Sequence, residues 1–362
     1  MTMPAMSVRT RFGSPDDLTA GQPPEYRGLA RDGVRLLVAT EAGMTHTRFR
    51  ELPGFLNPGD LLVVNNSATI AAEADAHRRG RGAAVVHAAA ELDDGTWVIE
   101  LRSAPDASRP VLDALPGEVI ELEEGVTLTL LEVYPGAGSS PTGVGNRLWR
   151  AAVNRPALDG LLRRHGRPVA YGYLDRRYPL ADYQSIFGAE PGSAEMPSAG
   201  RPFTNEVVTD LVAAGVRVAA VTLHTGLSSQ DAGELPQPER FEVSAETARL
   251  VNRTKGGGGR VVAVGTTVTR ALETAVGLDG LIAPAAGWTE RVISPRDPVR
   301  VVDGLISGWH NPDASHLLLV ESVAGPELTQ RAYAAAFAEG YLWHEFGDSS
   351  LLLPGRTLAV VT

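Results

Sequence analysis

The chain has 362 residues, 43% hydrophobic and 21% charged, a balance that allows two domains with ample core. It has no cysteine, which excludes disulfides, thiolate metal sites and cysteine nucleophiles, and its net charge of -10 disfavours general binding to polyanions. Lys255 is the only lysine and sits in a Gly-rich turn, so Schiff-base chemistry is disfavoured as well. The N-terminal stretch MTMPAMSVRTRFGSPDD lacks an apolar h-region, and no run approaches 18 apolar residues. A soluble, cytoplasmic protein with no membrane partner is the expectation.

LLVAT at 36–40 and DLLVVNN at 60–66 read as strands, the second after a Pro-Gly turn at 58 and 59. From 71 to 154 the texture becomes short β-rich segments, TWVIELR, EVIELEE, VTLTLLEVY and RLWRAAV. Turn signals and a Gly/Ser/Pro loop at 135–145 separate them. That block predicts a small antiparallel barrel or sandwich. After 155 helix and strand alternate. ALDGLLRRHG is helical, and FTNEVVTDLVAAG is a helix with Thr204 as N-cap and Gly215 as terminator. VRVAAVTLH is a strand, SAETARLVNRTK a helix capped by Ser244, and RVVAVGTT a strand that runs into the helix TRALETAVG. HLLLVESVAG is a buried segment and TQRAYAAAFAEG a helix. The alternation predicts an α/β fold with a mainly parallel sheet, built from residues 1–70 and 155–362, into which 71–154 are inserted.

Open α/β sheets bind ligands beyond the carboxyl ends of their strands. Two strands end suggestively here, one in His224-Thr225-Gly226-Leu227 and the other in Gly265-Thr266-Thr267 at a helix start. The free N–H groups of a helix start favour a carboxylate or another anion; the competing reading is simple capping by Thr267. The glycine run 256–259 precedes its strand, the reverse of a dinucleotide fingerprint, and there is no Gly-Lys-Ser/Thr or HExxH sequence. Hydride transfer, P-loop phosphoryl transfer and zinc hydrolysis are therefore disfavoured. His224 and His310 are acid/base candidates, and pairing with Glu239, Asp303 or Asp348 would strengthen either. Basic clusters at 77–82, 161–167 and 174–177 read first as solvated surface, and otherwise as a local nucleic-acid track.

Seven segments, in order, are similar to the S-adenosylmethionine:tRNA ribosyltransferase-isomerase family of queuosine biosynthesis. They are LARDGVRLLVAT, LNPGDLLVVNNSATI, DYQSIFGAEPGSAEMPSAGRPFT, VTLHTGL, FEVSAETARLVNRTKGGGGRVVAVGTTVTRALE, VVDGLISGWHNPDASHLLLVESVAG and FGDSSLLL. The resemblance implies an α/β domain with an inserted β-barrel. It implies S-adenosylmethionine as co-substrate, no metal, and transfer with isomerisation of the ribosyl portion to the aminomethyl group of a deazaguanine in tRNA. Adenine and methionine depart, and an epoxycyclopentenyl product forms. The sulfonium acidifies the neighbouring C5′ hydrogens, so a positioned base starts the reaction. On this resemblance His224, Glu239 and His310 are the acid/base candidates. Gly265, Thr266, Thr267, Arg270, Ser198, Gly200, Thr225 and Gly226 are the binding candidates.

The departures fall on polar positions. The family's N-D-T-R-V-I-P-A-R is Asn65 to Glu73 here, with Ala68 and Glu73 in place of arginines. G-L-H-F-T is Gly200 to Thr204 without the histidine, M-H-x-E is Pro236-Gln237-Pro238-Glu239, and N-F-H-L-P-K-S is Gly308 to Ser315, with Asp313 near the lost lysine. Three readings follow: the family reaction on tRNA, S-adenosylmethionine chemistry on a small acceptor or on the co-substrate alone, and non-catalytic ligand binding. The lost basic residues disfavour tight tRNA binding.

Overall fold

The apolar runs LLVV and VVAV are buried along their whole length, as befits strands covered by helices on both faces. The computed structural model describes residues 8–13, 18–136, 144–154, 158–228, 234–311 and 316–355. Chain order begins with β1 (Arg35–Thr40), β2 (Gly43–Arg48), β3 (Leu61–Asn65) and the short β4 (Ser67–Thr69). Then come β5 (Glu73–Arg78), β6 (Gly82–Glu91), β7 (Trp97–Ser103), β8 (Val119–Glu121), β9 (Thr127–Val133) and β10 (Leu148–Val153). Helix α1 (Leu158–His165), β11 (Glu190–Ser193), α2 (Asn205–Ala213), β12 (Arg217–Leu223) and β13 (Glu239–Val243) follow. The chain continues through α3 (Ala245–Gly256), β14 (Val261–Val264), α4 (Thr266–Ala275), β15 (Ala285–Thr289) and β16 (Gly304–Ser307), then α5 (His316–Ala324), α6 (Pro326–Ala338) and β17 (Ser349–Leu353).

Nine strands form one sheet in the order β15-β13-β12-β3-β14-β16-β17-β1-β2. Its centre, β12-β3-β14-β16, is parallel, as the alternation of helix and strand demands. The flanks are antiparallel, apart from the parallel pair β1 and β17, so the sheet is mixed. The edge pair β1 and β2 is joined by the two residues 41 and 42, a connection too short for anything but an antiparallel neighbour. One face is packed by α3 to α6, around Val251, Leu272, Trp309 and Tyr333. The other is packed by α2 and a 3-10 segment, around Phe49, Leu52, Phe203 and Leu211. Thr204 Oγ accepts from Val207 N at 3.3 Å and Ser244 Oγ from Thr247 N at 3.1 Å, the two expected caps. Gly215 ends α2 at φ 82°, a conformation that favours glycine. The buried segment expected at HLLLVESVAG is the helix α5.

Strands β5 to β10 close an antiparallel barrel in the order β10-β7-β6-β5-β8-β9. Its core holds Val86, Ile99, Ile120, Leu128 and Trp149, and Leu158, Leu161 and Leu162 of α1 pack into the same cluster. The sequence reading missed β5 and β6. Their buried positions include Glu73 and His87, which break the apolar alternation that marks a strand. No helix among the described residues is long and apolar enough to cross a membrane.

Candidate functional site

The parallel strands β12, β3, β14 and β16 share one carboxyl edge, where Gly-rich and polar segments follow the strands. A cavity of about 470 Å³ opens there, within the range of small-molecule sites. Thr225 to Ser228 after β12, Gly265 to Thr267 after β14 and Ser307 to Asn311 after β16 line its floor, and Arg102 and Ser108 of the barrel reach its other side. The cavity thus lies between sheet and barrel.

Gly265 supports the turn at φ 96° and passes its N–H to Ile306 O at 2.8 Å. A Cβ there would lie 3.3 Å from Ala199 Cβ, so only glycine fits comfortably. Helix α4 starts at once and has no side-chain cap; Thr267 Oγ1 instead lies 3.5 Å from Asn65 Nδ2. The first N–H groups of α4 therefore have no intrahelical partner and sit at the cavity floor.

Glu239 opens β13, which runs antiparallel to β12, and so faces the same cavity. Its carboxylate is bound by Arg270 and accepts from Gly226 N at 3.1 Å. Burial raises its pKa, against the pull of Arg270 and the Gly226 N–H. Arg270 also donates to the carbonyls of Gln237 at 3.0 Å, Arg291 at 3.2 Å and Thr289 at 3.3 Å. These bonds make Arg270 the residue that fixes Glu239 and the 237–239 strand entrance.

His310 Nε2 lies 3.0 Å from Ser307 Oγ, and its ring stacks on His316 at 4.7 Å between centroids. Burial pushes the His310 pKa well down, assisted by His316 and His344, and burial with Arg270 nearby brings His316 to about 4. Both rings are neutral at physiological pH, the form that accepts a proton. Asp303 and Asp348, the acids considered as histidine partners, are engaged elsewhere. Asp303 binds Lys255 and Val261 N, and Asp348 accepts from Arg35 N and Leu342 N.

The structure brings Glu239, His310, Gly265, Thr266, Thr267, Arg270, Ser198, Thr225 and Gly226 onto one cavity. His224 and Gly200 are not part of its lining. The His224 Nδ1 lies 2.7 Å from Ser67 Oγ, and the ring sits over Gly192, where a Cβ would come within 2.5 Å of Nδ1. Gly200 turns a 3-10 segment, with its N–H on Pro197 O at 3.0 Å. Asp313 and its neighbours 312–315 lie outside the described residues, as do 137–143 of the Gly/Ser/Pro loop.

Sequence reading missed His316, Tyr171, Tyr173, Glu195, His344 and Glu345, all of which line the cavity. Glu195 accepts from Tyr171 Oη, from Ser228 Oγ and from Ser228 N at 2.9 Å. Glu345, half-buried on the same wall, has its pKa raised to about 8 by burial and by the charge of Glu195. The closely spaced aromatics of YGYLD and the pair His344-Glu345 were the available signals, and neither has a distinctive spacing.

Neutral imidazoles, a paired carboxylate and an open helix start thus meet on one cavity of an α/β fold that carries a β-barrel. The chain belongs to the family described as queuosine biosynthesis protein, whose model matches residues 9–352. It is 38% identical over 332 residues to the S-adenosylmethionine:tRNA ribosyltransferase-isomerase of Acidiphilium cryptum, covering 89% of this chain and 93% of that one. It is 35% identical over 353 residues to the protein of the same name from Symbiobacterium thermophilum, covering 94% and 98%. The crystal structure of S-adenosylmethionine tRNA ribosyltransferase from Thermotoga maritima superposes with a TM-score of 0.52 at 28% identity, covering 94% of this chain and 99% of that one.

Proposed function

We propose that this protein transfers and isomerises the ribosyl part of S-adenosylmethionine onto the aminomethyl group of a deazaguanine, tRNA being the acceptor that the relatives' name gives. The observation that supports this best is the convergence of His310, His316 and Glu239 with the start of α4 on one cavity. In this reading the N–H groups of Thr266 and Thr267 hold the methionyl carboxylate. The stacked pair His310 and His316 supplies the base that removes a C5′ proton beside the sulfonium. Glu239, fixed by Arg270, then exchanges a proton with the leaving or entering nitrogen. Gln237 offers an acceptor to match: its Oε1 is buried on the cavity wall without a hydrogen-bond partner and suits the N–H of an exocyclic amine of a base.

The test is incubation with S-adenosylmethionine, with and without tRNA bearing the aminomethyl-deazaguanine, while adenine and methionine are quantified. Binding without any release under either condition would leave a ligand-binding protein and end the enzyme reading.

A second reading keeps the donor and replaces tRNA by a small acceptor. One observation favours it: the three basic clusters are tied up by acids or aromatic rings. Arg78, Arg79 and Arg81 bind Glu118, Glu121 and Asp113. Arg163 and Arg164 bind Asp159 and Glu124, and Arg167 binds Glu73 and Asp75. Arg177 binds Glu73, and Arg176 lies over Tyr26 and Tyr178.

A further inference from the structure

One wall of the cavity is made by Tyr171, Tyr173, Glu195 and Glu345, none of which has a part in the chemistry above. Two carboxyl groups and two phenols suit a cation. The rings of Tyr171 and Tyr173 stack at 6.0 Å, and Tyr173 continues onto His344 at 4.6 Å. Aromatic faces attract ammonium groups, most strongly where water is excluded.

The two carboxyl groups differ in one respect. Glu195 already receives three donors, from Tyr171 and Ser228. Glu345 has its Oε1 enclosed and without a hydrogen-bond partner, although the residue lines the cavity. A buried acceptor without a donor is destabilising on its own, and such a group is completed when a ligand supplies the donor. The cations of the neighbourhood do not fill this role. Arg201, whose charge acts on Glu345, gives its donors to Asp182 O at 2.8 Å and Glu25 at 3.0 Å. Arg102 donates to Ala107 O and to Glu100.

Resting on the S-adenosylmethionine reading, we propose that these four residues form a subsite for a primary ammonium group, which Glu345 pairs. Two sources carry that chemistry, the amino group of the methionyl part of the donor and the aminomethyl group of the acceptor. The ionisable groups facing Glu345 are Glu195, Tyr173 and Tyr183, with Arg201 opposing them, and His344 beside it is kept neutral by burial. Burial and the charge of Glu195 hold Glu345 protonated at pH 7, at about 8. An arriving ammonium reverses the balance. The Glu345 carboxyl ionises, its proton goes to solvent, and the carboxylate pairs with the ammonium, so no other reactant is needed.

Titration calorimetry at pH 7 in two buffers of different ionisation heat reads this directly. The ligands are S-adenosylmethionine, its deaminated analogue, and free deazaguanine bearing the aminomethyl group. The proteins are wild type and Glu345→Gln, which is isosteric with the resident neutral carboxyl and should fold unchanged. We expect the wild type to release most of one proton on binding an ammonium-bearing ligand, and Glu345→Gln to release none and bind at least tenfold more weakly. Proton release with S-adenosylmethionine that disappears with its deaminated analogue assigns the subsite to the donor. Release with the free aminomethyl base assigns it to the acceptor. Wild-type binding of both amines without proton release, or unchanged affinity in Glu345→Gln, overturns the subsite and leaves the S-adenosylmethionine reading standing. Proton-linked binding of the free base with no S-adenosylmethionine binding does the opposite, and binding of neither ligand rejects both.

Discussion

His310 and His316 lie ring on ring, 4.7 Å apart and 7° from parallel, with His310 held through Nε2 by Ser307 Oγ. Two imidazoles so close cannot both be charged, and burial already favours the neutral form in each. His310→Gln and His316→Gln should each lower turnover by roughly 10²–10⁴-fold if the pair is the base. Melting temperatures should change little. Earlier unfolding with full activity per folded molecule would instead make the pair structural.

The same pair sets a pH dependence of stability. The unfolded chain takes up a proton on each histidine near 6.5, whereas folded His316 does so only at about 4. Between these values the unfolded state binds more protons, so stability rises with pH and is lost as pH falls from 6.5 towards 4. His87 works in the opposite sense, its pKa raised between Glu100 and Glu73 despite burial. Urea midpoints measured from pH 4 to 7 should show a shallower slope in His316→Gln than in wild type. An unchanged slope would show that His316 titrates normally when folded.

Thr266 and Thr267 offer both hydroxyls and helix-start N–H groups at the cavity floor. Replacing both by Val keeps shape and removes only the hydroxyls. S-adenosylmethionine affinity should fall by about 1.5–3 kcal/mol if they bond the charged carboxylate. Calorimetry with no loss would assign recognition to the N–H groups alone.

Arg147 of the barrel joins Glu100 at 3.1 Å to Glu234 at 2.6 Å, these three side chains almost without solvent, and donates to Ser228 O at 3.1 Å. It thereby ties the barrel to the chain segment that lines the cavity before Glu239. Arg147→Met should cost about 3–5 kcal/mol, since it strips a partner from buried carboxylates. A thermal melt within one degree of wild type would show the tie to be dispensable.

The central sheet was legible because buried parallel strands read as unbroken apolar runs, as in LLVV and VVAV, and caps such as Thr204 and Ser244 act within four residues. The barrel strands β5 and β6 were not legible. Their buried positions include Glu73 and His87, which pair with each other and whose further partners Arg167, Arg177 and Glu100 arrive from elsewhere in the chain. The cavity floor at Gly265 to Thr267 could be read from its strand–helix joint. The wall of Tyr171, Glu195 and Glu345 could not, because it is assembled across more than 170 residues of sequence with no fixed spacing. His224 had the right position at a strand end, yet its ring turns away onto Gly192 and Ser67.

Affinity for tRNA is the remaining question, and ion pairing bears on it. Each free arginine on a phosphate contributes a slope of about −0.7 to −0.9 in log K against log salt. Glu73 is fully buried and is itself held by Arg167 and Arg177, so those arginines are drawn inward. The clusters at 77–82 and 161–167, the best alternative track, are matched by Asp113, Glu118, Glu121, Glu124 and Asp159. A phosphate backbone would compete with these carboxylates for arginines that are largely exposed, and the net charge of -10 opposes its approach. Filter binding across a salt series should therefore show no tight tRNA complex at physiological salt and a shallow slope. Recognition would then depend on the acceptor base inside the cavity rather than on phosphates. Submicromolar binding with a steep slope, accompanied by turnover on the tRNA, would refute this and establish a basic track that the paired arginines open on contact.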